Sequence, residues 1–292
     1  MTLRSNNNNK PNGESTRIAV VTGSSSGIGF ETSLMLARNG FQTYATMRDP
    51  NKGENIKSIA TKENLPIHIE QLDVTDNKSV TNAIEAIVSK AGRIDVLVNN
   101  AGYALTGAFE DLAIEEIKAQ YETNLLGLIR TSQAVLPIMR EQKSGTIVNI
   151  SSGAGRVGLP GFSAYVSTKF AVEGLSESMA YELEPFGIKV ILIEPGVIRT
   201  NVFKNVVIAK KSQNPNSPYS QIMQKMSASF EHMLENASSS PDLVAKVILQ
   251  AVTSENPSLS RYLAGKDIES WIEARRNMSD DEFYKMIKQS FN

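Results

Sequence analysis

Tyr165 and Lys169 stand four residues apart, and Ser152 lies thirteen residues before the tyrosine. On a helix, side chains at i and i+4 share one face. A free phenol titrates at about pH 10, too high for efficient proton transfer near neutrality. A fixed ammonium a few ångströms away favours the phenolate and draws that value toward the working range. A serine hydroxyl beside the pair can hydrogen-bond the oxygen that gains or loses the proton. The trio is therefore expected to carry general acid–base chemistry, with Tyr165 as the proton handler, Lys169 tuning it and Ser152 holding the reacting oxygen. Two further Tyr-x-x-x-Lys pairs, Tyr262/Lys266 and Tyr284/Lys288, have Leu249 and Trp271 where the serine would be. Those two read as surface side chains. For Ser152 the competing role is a turn or cap hydroxyl, a role assigned more readily to Ser151.

Such a trio needs a scaffold, and the pattern around it alternates. Short β-branched runs occur at 18–22, 42–46, 67–72, 96–99, 146–151 and 189–194, with helical segments at 29–39, 53–62, 78–91, 114–142 and 163–186 between them. Strands alternating with helices imply right-handed βαβ units and a parallel sheet covered on both faces. The strands are nearly continuous in apolar residues, as burial on both faces requires. The expected fold is α/β, a single doubly wound Rossmann domain over 17–292. About seven strands are expected, in the order 3-2-1-4-5-6-7. Residues 242–253 read as a helix, 261–264 as a last strand, and Ser279 to Glu282 as a capping box opening a final helix. Residues 1–16, with four consecutive Asn, read as a disordered leader. Residues 201–240 read as a substrate lid carrying Met223, Met226, Phe230 and Met233, and 241–292 as a C-terminal extension.

The first strand runs into Thr22-Gly23-Ser24-Ser25-Ser26-Gly27-Ile28-Gly29, followed at once by a helix. Glycines at this turn let backbone N–H groups approach a pyrophosphate, whose charge the helix N-terminus favours. The Gly-x-x-x-Gly-x-Gly spacing is not a P-loop, because no Gly-Lys-Ser/Thr follows. In order after it come Asn99-Asn100-Ala101-Gly102, Asn124, Ser152, Tyr165, Lys169 and Pro195-Gly196. With these residues the sequence resembles the classical short-chain dehydrogenase/reductase family over roughly 17–200. The Thr46-Met47-Arg48-Asp49 stretch and the long C-terminal region loosely resemble its hydroxysteroid and retinol dehydrogenase branch.

The resemblance implies a carbonyl/alcohol oxidoreductase whose hydride comes from a nicotinamide cofactor, since side chains cannot supply one. It implies that Gly23, Ser25, Ser26, Gly27, Ile28 and Gly29 cradle the pyrophosphate, and that Asp73 and Val74 contact the adenine. Asn100, Ala101 and Gly102 would line the adenosine ribose or simply pack the central strands. Pro195, Gly196, Val197, Ile198 and Thr200 would bond the nicotinamide carboxamide. Asn124 would hold a water linking Lys169 to solvent. At the end of the second strand Met47 stands where an acid would bind a ribose 2′-OH, and Arg48 where a 2′-phosphate would be bound. NADP(H) is therefore expected over NAD(H), with Asp49 as the cap of the next turn. Ser26 stands where many NADP-dependent members carry a basic residue. Family members commonly form homodimers or homotetramers, and 125–135 and 170–183 are apolar enough for that.

Composition limits the alternatives. The chain has 292 residues, no Cys and two His, so thiol chemistry and any multi-His or Cys metal centre are excluded. A net charge of −1 offers no electrostatic footprint for nucleic acid. No apolar run approaches the roughly 20 residues of a membrane span, and a cytoplasmic location is expected. The expected partner is a small carbonyl/alcohol substrate, lipophilic in character. A 3-oxoacyl-carrier-protein reductase is the alternative enzyme, and an NADP-binding sensor or scaffold the alternative outside enzymes.

Overall fold

The computed structural model describes residues 16–198, 206–235, 239–255 and 257–291. Of the expected leader only Thr16 falls within them, and Thr200 and part of the expected lid fall outside. The elements in chain order are β1 (Ile18–Val21), α1 (Gly27–Arg38), β2 (Gln42–Met47), α2 (Glu54–Glu63), β3 (Ile67–Gln71), α3 (Asn77–Ala91) and β4 (Val96–Asn99). Then follow β5 (Ala104–Thr106), α4 (Ile114–Tyr121), α5 (Gly127–Gln142), β6 (Gly145–Ile150), α6 (Ser163–Leu183) and β7 (Ile188–Pro195). The last are β8 (Val206–Ile208), α7 (Ser220–Glu235), α8 (Pro241–Thr253), β9 (Leu259–Ala264), α9 (Lys266–Asn277) and α10 (Asp280–Ser290).

Seven strands form one parallel sheet in the order β3-β2-β1-β4-β6-β7-β9. This is the expected doubly wound, Rossmann-like order. Its physical basis is visible in β1. Ile18 and Val20 join Tyr44, Leu97, Ile147 and Val190 on one face, against Ile84 and Ile87 of α3 and Val135 and Met139 of α5. Ala19 and Val21 join Val96, Val98, Ile191 and Ile193 on the other, against Leu36 of α1 and Val244, Ile248 and Ala251 of α8. Alternate residues point to opposite faces, and with both faces buried every position of β1 is apolar.

Four local differences from the sequence reading bear on the site. The single helix expected at 114–142 is broken by a π turn at Glu122–Leu126, which contains Asn124. The helix expected to reach 186 ends at Leu183, and a 3₁₀ turn, Glu184–Phe186, follows with Pro185 inside it. Between 201 and 240, β8 pairs in parallel with β5 as a separate two-stranded sheet, and α7 follows it. Helix α9 was not anticipated, because only Ile268 and Ile272 of it are buried and the rest is polar. The capping box at Ser279 is present: its N–H donates to Glu282 Oε2 at 2.9 Å, and its hydroxyl accepts from the Glu282 N–H. Helices α9 and α10 pack Phe283 and Ile287, with Trp271, on Val157 and Leu159. Among the described residues no helix is long and apolar enough to cross a membrane.

Candidate active site

The carboxyl ends of β1, β2, β4, β6 and β7 open on one cleft of about 900 Å³. Its floor at β1 is the glycine turn. Gly23 has φ +69°, and a Cβ there would lie 2.9 Å from Ala101 Cα. A Cβ at Gly29 would meet Asn100 Nδ2 and the Gly23 carbonyl, both at 2.5 Å, so only a bare backbone lets α1 come this close. Ser26 precedes α1 without capping it through its side chain. The first-turn N–H groups thus lack the usual serine cap. Asn100 ties this turn to β4: its Nδ2 donates to the Thr22 carbonyl (2.9 Å) and the Gly23 carbonyl (3.2 Å), while its N–H donates to Thr22 Oγ1 (3.0 Å). Ala101 N–H donates to the same hydroxyl at 3.1 Å. Asn100 and Ala101 therefore hold the loop as well as lining the cleft with Gly102.

At the end of β2, Met47 is buried against Ala45 and Ile56, and Arg48 is exposed at the cleft wall. No carboxylate takes the Met47 position. Asp49 is turned into the chain as expected, accepting from Asn51 N–H at 3.1 Å to cap the turn Pro50–Gly53. Asp73 spends Oδ1 on the N–H and hydroxyl of Thr75 (2.9 and 2.8 Å), and Val74 packs on Gly127.

Ser152, Tyr165 and Lys169 come together at the middle of the cleft. Tyr165 lies in the first turn of α6, and the Lys169 ammonium stands 5.7 Å from its ring centroid. Lys169 is buried and donates to the Ile150 carbonyl at 2.8 Å. Burial pushes the Tyr165 phenol above its ordinary value, and a hydrogen bond from Ser152 partly offsets this. Burial pulls Lys169 down to about 8, with the Glu173 carboxylate opposing the change. The direction is opposite to the one expected for Tyr165: burial of the phenol raises it, while the Lys169 ammonium is held on the Ile150 carbonyl.

One side-chain role is also corrected. Ser152, not Ser151, is the capping hydroxyl, accepting from Ala154 N–H at 3.1 Å. Ser151 Oγ is buried with no partner among the described residues. The Asn124 side chain is taken up by neighbours: Oδ1 accepts from Tyr103 N–H (3.0 Å), and Nδ2 donates to the Tyr103 carbonyl (2.8 Å) and Thr168 Oγ1 (3.3 Å). It clamps the segment after β4 to α6, one residue before Lys169.

Residues 17–211 match the family described as short chain dehydrogenase. This chain belongs to the short chain dehydrogenase family. It is 40% identical over 253 residues to oxidoreductase BOA17 of Botryotinia fuckeliana, covering 86% of this chain and 90% of that one. It is 35% identical over 254 residues to human 17-beta-hydroxysteroid dehydrogenase type 1, covering 84% and 76%. Among solved structures, a short-chain dehydrogenase from Streptomyces avermitilis superposes with TM-score 0.80 at 32% identity, over 95% of this chain and 98% of that one. ElxO with NADP bound superposes with TM-score 0.71 at 30% identity, over 87% and 99%.

Several residues of this short chain dehydrogenase reach the cleft that its motifs did not announce. Leu159, Phe162, Phe230, Leu234, Ile268 and Trp271 make one end of the cleft apolar. Phe230 of the expected lid lies 5.2 Å from the Phe162 ring, and Met223 and Met226 border Gly161. Met233 instead packs with α9 and α10. Asp267 of α9 also lines the cleft and accepts from Val197 N–H at 2.6 Å. Its only sequence signal is an acid in a helix first turn, far too common a feature to single out.

Proposed function

We propose that this chain is an NADP(H)-dependent oxidoreductase that interconverts a carbonyl and an alcohol on a lipophilic substrate. The observation that carries the proposal is the convergence of Ser152, Tyr165 and Lys169 on the same cleft as the glycine turn. The residues fit a dinucleotide. The α1 N-terminus has no serine cap, Gly23 and Gly29 clear the backbone for a pyrophosphate, and Arg48 supplies a cation beside a buried Met47. The NADP in ElxO supports the same choice of cofactor. A nicotinamide dinucleotide bound there supplies the hydride chemistry that no side chain can.

Ser152 turns its hydroxyl proton from Tyr165 to the reacting oxygen when substrate binds, while its own oxygen accepts from Ala154 N–H. Tyr165 gives a proton to that oxygen in reduction and takes it back in oxidation. Lys169, held on the Ile150 carbonyl with its charge 5.7 Å from the Tyr165 ring centroid, orients the dinucleotide. Asp73, Val74, Ala101 and Gly102 line the adenosine end, and Pro195, Gly196, Val197 and Ile198 the nicotinamide end. The apolar end formed by Leu159, Phe162, Phe230 and Trp271 suits a lipophilic substrate, in keeping with the steroid named for the human relative. Residues 201–240 act as its lid, and a homodimer or homotetramer is formed through α5 with the π turn before it and through α6, where Leu126 of the turn and Phe170 of α6 are exposed.

The test is NADPH oxidation with a panel of lipophilic ketones, aldehydes and acyl thioesters. Turnover of ketones or aldehydes supports the proposal. Preference for acyl thioesters would point to a carrier-protein reductase, and NADPH binding without any turnover to a sensor.

A further inference from the structure

The turn after β7 is pegged by two successive hydrogen bonds. Gly196 N–H donates to the Ala264 carbonyl at 3.1 Å, and Val197 N–H to Asp267 Oδ2 at 2.6 Å. Two glycines clear room for that one carboxylate. A Cβ on Gly196 would lie 2.4 Å from Asp267 Oδ2, and a Cβ on Gly265 would lie 2.7 Å from Oδ1 and 2.8 Å from Ser239 Oγ. Gly265 also takes φ +136°, open mainly to glycine. Asp267 sits in the first turn of α9, where the helix dipole favours an anion. The next residue, Ile268, fills the space over Gly153, directly after Ser152: a Cβ there would be 1.8 Å from Ile268 Cδ1. The start of α9 therefore touches both loops that flank the reaction centre.

We infer that Asp267 is a positioning residue for the nicotinamide end of the cofactor, acting through the Val197 N–H and the turn it fixes. The inference rests on the NADP(H) reading of the cleft. A charge-assisted hydrogen bond holds the 196–197 turn before the cofactor arrives, so binding need not order it. Substituting the carboxylate frees the turn, and the ordering cost then falls on nicotinamide binding alone. The adenosine half binds at the ends of β1 to β4, remote from this turn.

The test measures NADPH binding by energy transfer from Trp271, the chain's single tryptophan, and binding of adenosine 2′,5′-bisphosphate by calorimetry. Asp267→Ala is expected to weaken NADPH about tenfold, equivalent to about 1.4 kcal/mol, and to leave the bisphosphate unchanged. Asp267→Asn keeps an acceptor oxygen and is expected to restore NADPH to within about threefold of the parent. Unchanged NADPH affinity in Asp267→Ala, or equal loss of both ligands, would overturn the inference while leaving the cofactor assignment intact. A parent protein that binds neither ligand would overturn both.

Discussion

The Lys169 ammonium lies 5.7 Å from the centre of the Tyr165 ring and donates to the Ile150 carbonyl at 2.8 Å. The pair shares one face of α6, but the charge is anchored to the sheet instead of the phenol. Burial therefore raises Tyr165 and lowers Lys169, the latter to about 8. Proton transfer near neutrality then depends on how far the charge and hydrogen bonds of a bound dinucleotide and substrate oxygen offset that desolvation.

Glu173 lies one turn beyond Lys169 and is the group that opposes the fall in its pKa. Glu173→Gln is expected to lower Lys169 further, below about 8. If Lys169 must be protonated, the alkaline limb of the kcat–pH profile moves to lower pH in the variant. A profile unchanged in position would show that Glu173 does not act through Lys169.

Arg48 is exposed at the cleft wall beside buried Met47. Its loss removes a charge-assisted bond to a 2′-phosphate, worth about 1.5–3 kcal/mol, or roughly tenfold to a hundredfold in affinity. Arg48→Ala is expected to weaken NADPH by that factor and NADH by much less, as fluorescence titration would read. Equal losses would remove the 2′-phosphate role.

Arg261 reaches from β9 to buried Glu173 at 3.1 Å and to buried Glu194 at 3.5 Å, and it also pairs with Glu177. Arg156 holds Glu194 from the other side at 3.1 Å. Arg261→Ala leaves two buried carboxylates short of charge, a change expected to cost about 3 kcal/mol of stability. Urea unfolding should show the loss as a lower midpoint with the slope unchanged. A variant as stable as the parent would mean that Arg156 alone neutralises the pair.

That the glycine turn, Arg48, and the Ser152, Tyr165 and Lys169 trio would meet on one cleft was legible because each is a short-range pattern tied to one strand end or one helix face. The sheet order was legible because continuous apolar strands alternate with helices. What stayed hidden depends on contacts across long stretches of chain. Asp267 meets Val197 across 70 residues, and β8 pairs with β5 across about a hundred. The π turn at Asn124 has no composition of its own, and capping by Ser152 instead of Ser151 follows from the turn after β6. The direction of the Tyr165 shift was misread because burial, which dominates it, is a property of the packed fold.

The most direct measurement is the Tyr165→Phe variant, with NADPH binding and turnover of an accepted ketone followed side by side. Removing the phenol oxygen should lower kcat by about 10² to 10⁴, while the NADPH dissociation constant stays within about threefold of the parent. Turnover by Tyr165→Phe at near the parental rate would contradict the assignment of Tyr165 as the proton handler.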